Sequence, residues 1–206
     1  KNSDNVENQW SSIITRKLNI TAVLDLPKLT DSRTDKDSSA LQFTENSAAI
    51  TIGDSLSITD VDDTNIDSVI IRISKNYDYI INSPSTDLAI NLGDSLFFAA
   101  GVPTAISAFY TYGSATGDSI TLSGSAPLDS YVLALSKLRF KNNSDDPTNN
   151  DTKLSRTIEF TIRDKNSDNV ENQWSSIITR KLNITAVLDL PKLTDSRTDK
   201  DSSALQ

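Results

Sequence analysis

The stretch WSSIITRKLNITAV, residues 10–23, recurs unchanged as residues 174–187. It is rich in β-branched residues and its apolar and polar positions largely alternate, which predicts a β-strand. The identity extends beyond this strand, because residues 1–42 recur letter for letter as residues 165–206. The offset of 164 residues (165 minus 1) is the size of an independently folding domain and too long for a solenoid repeat. We therefore interpret the chain as part of a tandem array of domains.

A β-hairpin is predicted where the second copy of this strand begins. Arg156–Asp164, RTIEFTIRD, alternates strictly, and the polar loop 165–173 joins it to the second copy. Because this loop is short, bringing the second copy beside Arg156–Asp164 costs less loop-closure entropy than bringing Trp10–Val23 there. The second copy is therefore expected to occupy that position. Shorter strand candidates precede the hairpin: Ala40–Phe43, Ala48–Ile52, Leu56–Thr59, Val69–Ser74, Tyr77–Ile81, Leu88–Leu92, Leu96–Ala99, Ala105–Tyr112 and Ile120–Leu122.

One segment departs from the strand pattern. Apolar residues in Pro127–Leu138 recur with helical spacing and predict a short amphipathic helix. The polar stretch 141–155 that follows is expected to be a mobile surface loop. Many short strands, frequent turn residues and no alternating βαβ pattern predict an all-β fold, an antiparallel immunoglobulin-like β-sandwich with one short helix.

The repeat also sets the expected domain boundaries. A complete sandwich is expected over residues 25–188. Residues 1–24 would then be the final strand of a preceding identical repeat, and residues 189–206 the linker and start of the next one. The first strand copy is expected to be an orphan, either loose or paired with the sheet edge of a neighbouring molecule.

Composition limits the partners and metals. The chain has 20 basic and 28 acidic residues and a net charge of −8, which argues against nucleic acid or an anionic membrane as partner. It contains no Cys and no His, so the thiolate and imidazole sites of zinc, copper and iron–sulfur clusters are excluded and a metal would need oxygen ligands. No apolar run approaches the roughly 18 residues of a membrane span, so no membrane insertion is expected. The lack of Cys fits an exported protein.

The sequence does not favour an enzyme. Paired carboxylates can perform general acid–base chemistry. However, the chain has no His or Cys, no glycine-rich phosphate loop and no nucleophile motif. A catalytic site repeated unchanged in every domain of an array would also be unusual, so we expect a non-catalytic protein.

Acidic residues cluster at the ends of predicted elements. Asp60 and Asp62 follow a strand candidate, Asp164 ends the strand before the final hairpin, and Asp25 lies in the joining segment. In an immunoglobulin-like sandwich, these loops lie at the end where the preceding domain is joined, so the four carboxylates are expected to converge. Calcium takes about six to eight oxygen ligands, many of them carboxylates on turns. The four residues therefore predict a calcium site.

Other residues are compatible with two interpretations. Asp168 and Asn169 fit a ligand role and an ordinary hairpin loop equally well. Further acidic residues are interpreted as solvated turn formers: Asp67, Asp78, Asp87, Asp145, Asp146 and Asp151. A group of aromatic residues is interpreted as core, with a sugar-binding surface as the alternative: Phe97, Phe98, Phe109, Tyr110 and Tyr112.

The order of the acidic motifs resembles that of cadherin domains. Phe43–Asn46 (FTEN), Thr59–Asp63 (TDVDD), Ile162–Asp164 (IRD) and Asp25–Pro27 (DLP) correspond to the Glu-Asn pair, the Asp-x-Asp loop, the late Asp and the linker. More closely, the span 43–187 resembles the bacterial cadherin-like tandem repeats of giant RTX-type surface adhesins. Those repeats share the TEN start, TDVD, a similar helix, F-x-N-x-S-D-x-P and a terminal NITAV strand.

This resemblance implies a calcium-stiffened extender repeat of a large secreted bacterial cell-surface adhesin that projects a distal binding domain for attachment and biofilm formation. Ca²⁺ would bind at domain junctions, with Asp25, Asp60, Asp62 and Asp164 at the upper joint and Glu45 with Asp189 at the lower one. The linker departs from the family, because Leu24 and Leu188 stand where an Asn ligand is usual. Neighbouring repeats of the same chain would be the partners of a monomer. The alternatives are a polysaccharide-binding module and a homotypic adhesion module.

Overall fold

The computed structural model describes residues 12–21, 23, 25–33, 40–78, 93–111, 118–165 and 174–190. These residues form eleven strands and one helix. In chain order they are β1 (Lys28–Asp31), β2 (Leu41–Thr44), β3 (Ile50–Thr51), β4 (Leu56–Thr59), β5 (Asn65–Lys75), β6 (Asp94–Phe98), β7 (Ser107–Thr111), β8 (Ser119–Pro127), α1 (Leu128–Ser136), β9 (Leu138–Asn142), β10 (Ser155–Asp164) and β11 (Ile178–Thr185).

The largest layer is a six-stranded sheet with the order β2-β11-β10-β5-β8-β7. β10 lies near its middle, and every second residue of β10 is buried, as its strict alternation predicts. Ile158, Phe160 and Ile162 have no exposed surface. All neighbouring pairs are antiparallel except β2 with β11, which are parallel. The sheet is therefore mixed at one edge rather than purely antiparallel.

Two smaller sheets complete the sandwich: β3-β9-β6, and β1 paired with β4. Apolar residues of all three sheets belong to a single buried cluster. Phe43 of β2 meets Phe140 of β9 edge to face, with 5.3 Å between the ring centroids, a favourable geometry for aromatic pairs. The all-β sandwich fold predicted from the sequence is thus confirmed.

The predicted helix is present as α1. Its buried residues, Tyr131, Ala134 and Leu135, lie on one side, and the Tyr131 hydroxyl donates to the carbonyl of Gly124 at 2.7 Å. Gly53 is required beneath the helix, because a Cβ there would lie 1.8 Å from the carbonyl oxygen of Leu135. The close approach of loop and helix thus depends on glycine.

The polar stretch 141–155 is the expected surface loop only in part, since residues 143, 145, 149–152 and 154 are exposed. Asn142, Ser144 and Thr148 are buried, because they belong to a hydrogen-bonded network around the fully buried Arg156. β1 and β9 were not predicted as strands, and the segment that was predicted from Trp174 is regular from Ile178. The predicted strand Leu88–Leu92 and most of Tyr77–Ile81 lie outside the described residues.

The second copy of the repeated strand fills the position between β10 and β2, as β11. Leu182 is 0% exposed and Ile184 is 4% exposed. Residues 12–21 of the first copy have no regular secondary structure. The residues equivalent to Leu182 and Ile184, Leu18 and Ile20, are 81% and 86% exposed. Identical sequences thus have opposite environments in one molecule.

Candidate metal centre

The strand register brings most of the predicted acidic ligands to one end of the sandwich. Thr59, the last residue of β4, pairs with Lys28, the first residue of β1. Asp60–Asp63 therefore follow β4 beside the segment that leads into β1. Asp164, the last residue of β10, pairs with Ile66 at the start of β5, shortly after the same acidic loop. We call this end of the sandwich the Asp60 end.

Three carboxylates meet in the loop between β4 and β5. Asp60, Asp62 and Asp63 each offer an oxygen, and these oxygens lie within 4.8 Å of one another. The backbone N–H groups of Asp62 and Asp63 donate to Asp60 Oδ1 at 3.3 and 3.1 Å, which curls the loop around the first carboxylate. Within the described residues, the other oxygen, Asp60 Oδ2, is buried and accepts no hydrogen bond. The loop thus holds an acceptor for which the described residues supply no donor.

The acids of this loop perturb one another. Burial, reinforced by the neighbouring Asp62, raises the pKa of Asp60 to about 6. The backbone N–H of Asp25 and the interaction with Asp60 lower the pKa of Asp62. Two close carboxylates resist double ionisation, so the proton is held by the more buried one. A cation bound between them would remove this penalty.

The joining segment contacts the loop directly. The backbone N–H of Asp25 donates to Asp62 Oδ2 at 3.0 Å. Asp25 and Leu26 are exposed, whereas Pro27 is buried. Asp164 lies at the same end and is fully buried. The four residues predicted for the upper joint therefore share the Asp60 end, although their carboxylates are not all shown in one cluster.

Glu45 lies at the opposite end, which we call the Glu45 end. β2 runs parallel to β11, and the Glu45 N–H donates to the Thr185 carbonyl at 2.9 Å. Glu45 is 3% exposed, and its Oε2 accepts from the backbone N–H of Val187 at 2.7 Å. In the described part of the chain its Oε1 is buried and has no hydrogen-bond partner. Asp189, two residues after Val187, is exposed.

Asp63 was not among the predicted ligands, yet it is buried and belongs to the cluster. Its place directly after the Asp-x-Asp motif is the signal that could have identified it. Asp168 and Asn169 lie outside the described residues, so both interpretations of them stay open.

Several acids interpreted as solvated turn formers have other roles. Asp67 forms an ion pair with Arg163, whose guanidinium also lies 5.3 Å from the centre of the Trp174 ring. Asp78 is 3.5 Å from the Lys153 ammonium. For these two acids the turn-former interpretation is wrong. Asp146 fits it, since it accepts from the backbone N–H of Asn150 at 2.8 Å.

The aromatic group is not simply core. Phe109 is 60% exposed and Tyr110 39% exposed on the edge strand β7. Because they are consecutive in a strand, their rings point to opposite faces. They do not form a shared flat platform for stacking a sugar, so their exposure does not favour the polysaccharide alternative. Tyr112 lies outside the described residues.

No known protein family and no curated protein sequence matches the chain. Among solved structures, a cohesin module from a Clostridium perfringens ATCC13124 family 33 glycoside hydrolase is similar, with a TM-score of 0.39 and 8% sequence identity. The match covers 81% of this chain and 100% of that module. In the portion of the chain that the structure describes, no helix has the length and apolar character needed to span a bilayer.

Proposed function

We propose that each 164-residue period is an extender repeat of a large secreted cell-surface adhesin, and that Ca²⁺ at the junctions between repeats holds the string of domains straight. The observation that carries the proposal is the placement of the acids at the two ends of one sandwich. Asp25 and the Asp60 loop lie at one end, and Glu45 with Val187–Asp189 lies at the other.

In a tandem array, the Glu45 end of one repeat would meet the Asp60 end of the following repeat. Asp189 is the equivalent of Asp25 one period later, so its N–H would donate to the Asp62 of the following repeat, as Asp25 does here. Val187, bound to Glu45 of the present repeat, is only two residues earlier. Two extended residues span about 7 Å. Acidic groups of consecutive repeats would therefore face each other across one short joint.

The residues fit a calcium ion. All candidate ligands are oxygens, which calcium prefers, and calcium accepts irregular coordination from carboxylates on loops. Glu45 Oε1 and Asp60 Oδ2 are buried acceptors to which no described residue donates a hydrogen bond. A divalent cation would satisfy both and neutralise the acidic cluster. The bound ion would supply positive charge between these carboxylates.

Residues of the chain itself connect the two domains at the joint. The β4–β5 loop presents Asp60, Asp62 and Asp63, the linker backbone ties itself to Asp62, and Glu45 anchors the preceding sandwich to the same linker. Carboxylates about 5 Å apart repel by roughly 1 to 3 kcal/mol per pair. Without a cation this repulsion favours a bent or open joint. When a cation is bound, its attraction to the same carboxylates holds the two domains together. Each repeat would add about 3 nm of reach, the length of a ten-residue strand.

The test requires a protein with two consecutive 164-residue periods. Small-angle scattering in millimolar calcium should show an extended particle, and chelation should shorten its maximum dimension and broaden its distance distribution. Calcium should also raise the melting temperature. Identical scattering and melting with calcium and with chelator would refute the proposal.

A matched control separates joint binding from general ionic effects. Asp60→Asn with Asp62→Asn in the second period removes two charges from the internal joint, whereas the same changes in the first period leave that joint intact. Calcium-dependent extension should disappear in the former protein and persist in the latter.

A further inference from the structure

Tension in a tandem array would enter and leave each sandwich at opposite ends. The segment before β1 lies at the Asp60 end, where the Asp25 N–H donates to Asp62. The chain leaves β11 at the Glu45 end, where the Val187 N–H donates to Glu45. Since the sequence repeats, each sandwich would be pulled by its two neighbours at these points. The pull is therefore directed from one end of the sandwich to the other.

The strands nearest to the two pulling points, β1 and β11, lie along this direction. β11 runs from the Asp60 end towards the Glu45 end, since Ile178 pairs with Phe160 and Asn183 pairs with Ser155. β1 begins at the Asp60 end and is antiparallel to β4. Hydrogen bonds between strands run across the strand direction, so a pull along the strands loads many of them together. The pairings of β1 and β11 are thus loaded in shear and cannot be opened one bond at a time.

An ion pair joins these two strands directly. Asp31 is the last residue of β1, and its carboxylate accepts two hydrogen bonds of 2.7 Å from Arg180 of β11. Arg180 is buried and also donates to the carbonyls of Ile52 and Asp54 before β4. Two-pronged bonds between arginine and a carboxylate are strong and fixed in geometry. Moving β1 away from β11 therefore requires breaking this pair.

β2 adds a second contact between the two halves of the path. It pairs in parallel with β11, from Leu41 with Leu182 to Thr44 with Thr185. The Glu45 N–H extends this pairing by donating to the Thr185 carbonyl at 2.9 Å. Because β1 precedes β2 in the chain, tension reaches β2 after β1 has detached. The sandwich thus has two shear-loaded contacts that must break in succession.

We infer that the ion pair of Asp31 with Arg180 and the pairing of β2 with β11 form a mechanical clamp that keeps each sandwich folded under tension. This function goes beyond the proposed role of calcium, because the clamp lies within one domain and consists of the chain's own hydrogen bonds. Forced unfolding is governed by the unfolding rate. An interaction that breaks before the transition state slows that rate, so these contacts should matter more under force than at equilibrium.

The direction of pulling tests the clamp in the full chain. The chain contains no Cys, so two introduced cysteines define the pulling points in a single-molecule force experiment. Leu26→Cys with Leu188→Cys pulls exposed sites at opposite ends, whereas Leu26→Cys with Val61→Cys pulls two exposed sites at the Asp60 end. The first unfolding step should need a several-fold higher force in the former, because the four residue pairs of β1 and β4 share the load there. Chelator is present throughout, so calcium does not enter the result.

Two matched substitutions test the ion pair. Asp31→Asn and Asp94→Asn each remove one carboxylate charge from a buried arginine, but Asp94 and its partner Arg156 lie on β6 and β10. When the L26C/L188C protein is held at constant force, D31N should raise its unfolding rate roughly tenfold or more. A hydrogen bond to a charged group is worth at least the ~1.4 kcal/mol to which tenfold corresponds.

Chemical denaturation gives the equilibrium stability that each variant loses. For the same loss, D94N should raise the unfolding rate under force less than D31N does. The inference is overturned if the two pulling directions need the same force, or if D31N and D94N raise the rate equally for equal losses of stability. Neither result bears on calcium at the joints, which the scattering experiment tests.

Discussion

Arg180 and Asp31, 149 residues apart, form a two-pronged ion pair in which Nε donates to Oδ2 and Nη2 donates to Oδ1, both at 2.7 Å. The same guanidinium donates to the carbonyls of Ile52 and Asp54, each at 2.5 Å. Arg180 is 4% exposed. One side chain of β11 thus ties the final strand to β1, the element that follows the joint.

Replacing Arg180 with Met should strongly destabilise the fold, because it leaves the half-buried Asp31 carboxylate with the Arg33 backbone N–H as its remaining described donor and removes the donor from the carbonyls of Ile52 and Asp54. Removing one partner of a buried pair typically costs about 3 to 5 kcal/mol. Arg16→Met is the matched control, since Arg16 is the same residue in the exposed first copy, and it should change stability by less than about 0.5 kcal/mol. Chemical denaturation of both variants measures the difference. Equal stability of the two would contradict this role of Arg180.

The same pair predicts a response to acid. Burial alone would raise the pKa of Asp31, but hydrogen bonds from Arg180 and from the Arg33 backbone lower it. A lowered folded-state pKa means that the contribution to stability is full above the unfolded value of about 3.8 and is lost as pH falls through the folded value. Denaturation below pH 4 should show this loss in the wild type and a smaller one in Asp31→Asn.

In the absence of calcium, the contribution of Asp60 to stability should change with pH in the opposite direction to that of Asp31. Its pKa rises from 3.8 to about 6 on folding, so the folded state holds the proton more tightly and stability falls as pH rises through that range. In chelator, the melting temperature should decrease between pH 4 and pH 7, and Asp60→Asn should reduce the decrease. With calcium, the proton competes with the ion, so calcium affinity measured by calorimetry should weaken below pH 6. A pH-independent affinity would exclude Asp60 as a ligand.

Glu45→Gln should separate joint stiffness from domain stability. The amide oxygen of Gln still accepts the bond that Val187 N–H now donates at 2.7 Å, so the single sandwich should keep its melting temperature within a few degrees. In a two-period protein, the loss of one carboxylate should weaken calcium binding at the joint. Extension at limiting calcium, measured by scattering, should therefore require more ion. A large drop in melting temperature would assign Glu45 a structural role instead.

The buried network around Arg156 makes a prediction independent of calcium. Arg156 donates to Asp94 at 2.5 Å and to the carbonyls of Pro147 and Lys153, each at 2.7 Å, and burial raises the pKa of Asp94 despite this partner. Arg156→Met should cost about 3 to 5 kcal/mol by leaving a charge unpaired. Asp94→Leu combined with Arg156→Met should recover part of that loss. A double-mutant cycle measures the coupling, and additive effects would contradict a joint role.

Strand and helix assignments follow from the sequence where one periodicity extends over many residues. β10 alternates over its whole length, and α1 carries a helical spacing of apolar residues. β1 and β9 were missed for physical reasons. β1 has four residues and becomes a strand through pairing with β4. Leu138 ends the helical pattern and also begins the alternation of β9, so the two periods overlap.

The candidate site, like the fold, could be predicted from the sequence only in part. The positions of Asp60, Asp62 and Asp164 at element ends are visible in the sequence, and the strand register brings those ends together. The buried roles of Asp94 and Arg156 are not visible, because their network joins residues 62 apart in the chain. The polar composition of the stretch 141–155 predicts a solvated loop. Part of it turns inward, because Arg156 donates to the carbonyls of Pro147 and Lys153.

By itself, the sequence determined the period of the array, the strand-rich composition and the oxygen-only character of any metal site. The short loop 165–173 also predicted which of the two identical strands joins the sheet, and β11 is that copy. Intrinsic preference could not distinguish the two strands, because identical sequences have identical propensities and apolar content. Only the tertiary structure decided the direction in which this strand enters the sheet. A short loop delivers β11 to β10 in the right direction, whereas the linker after Thr21 is too short to return to the Asp60 end.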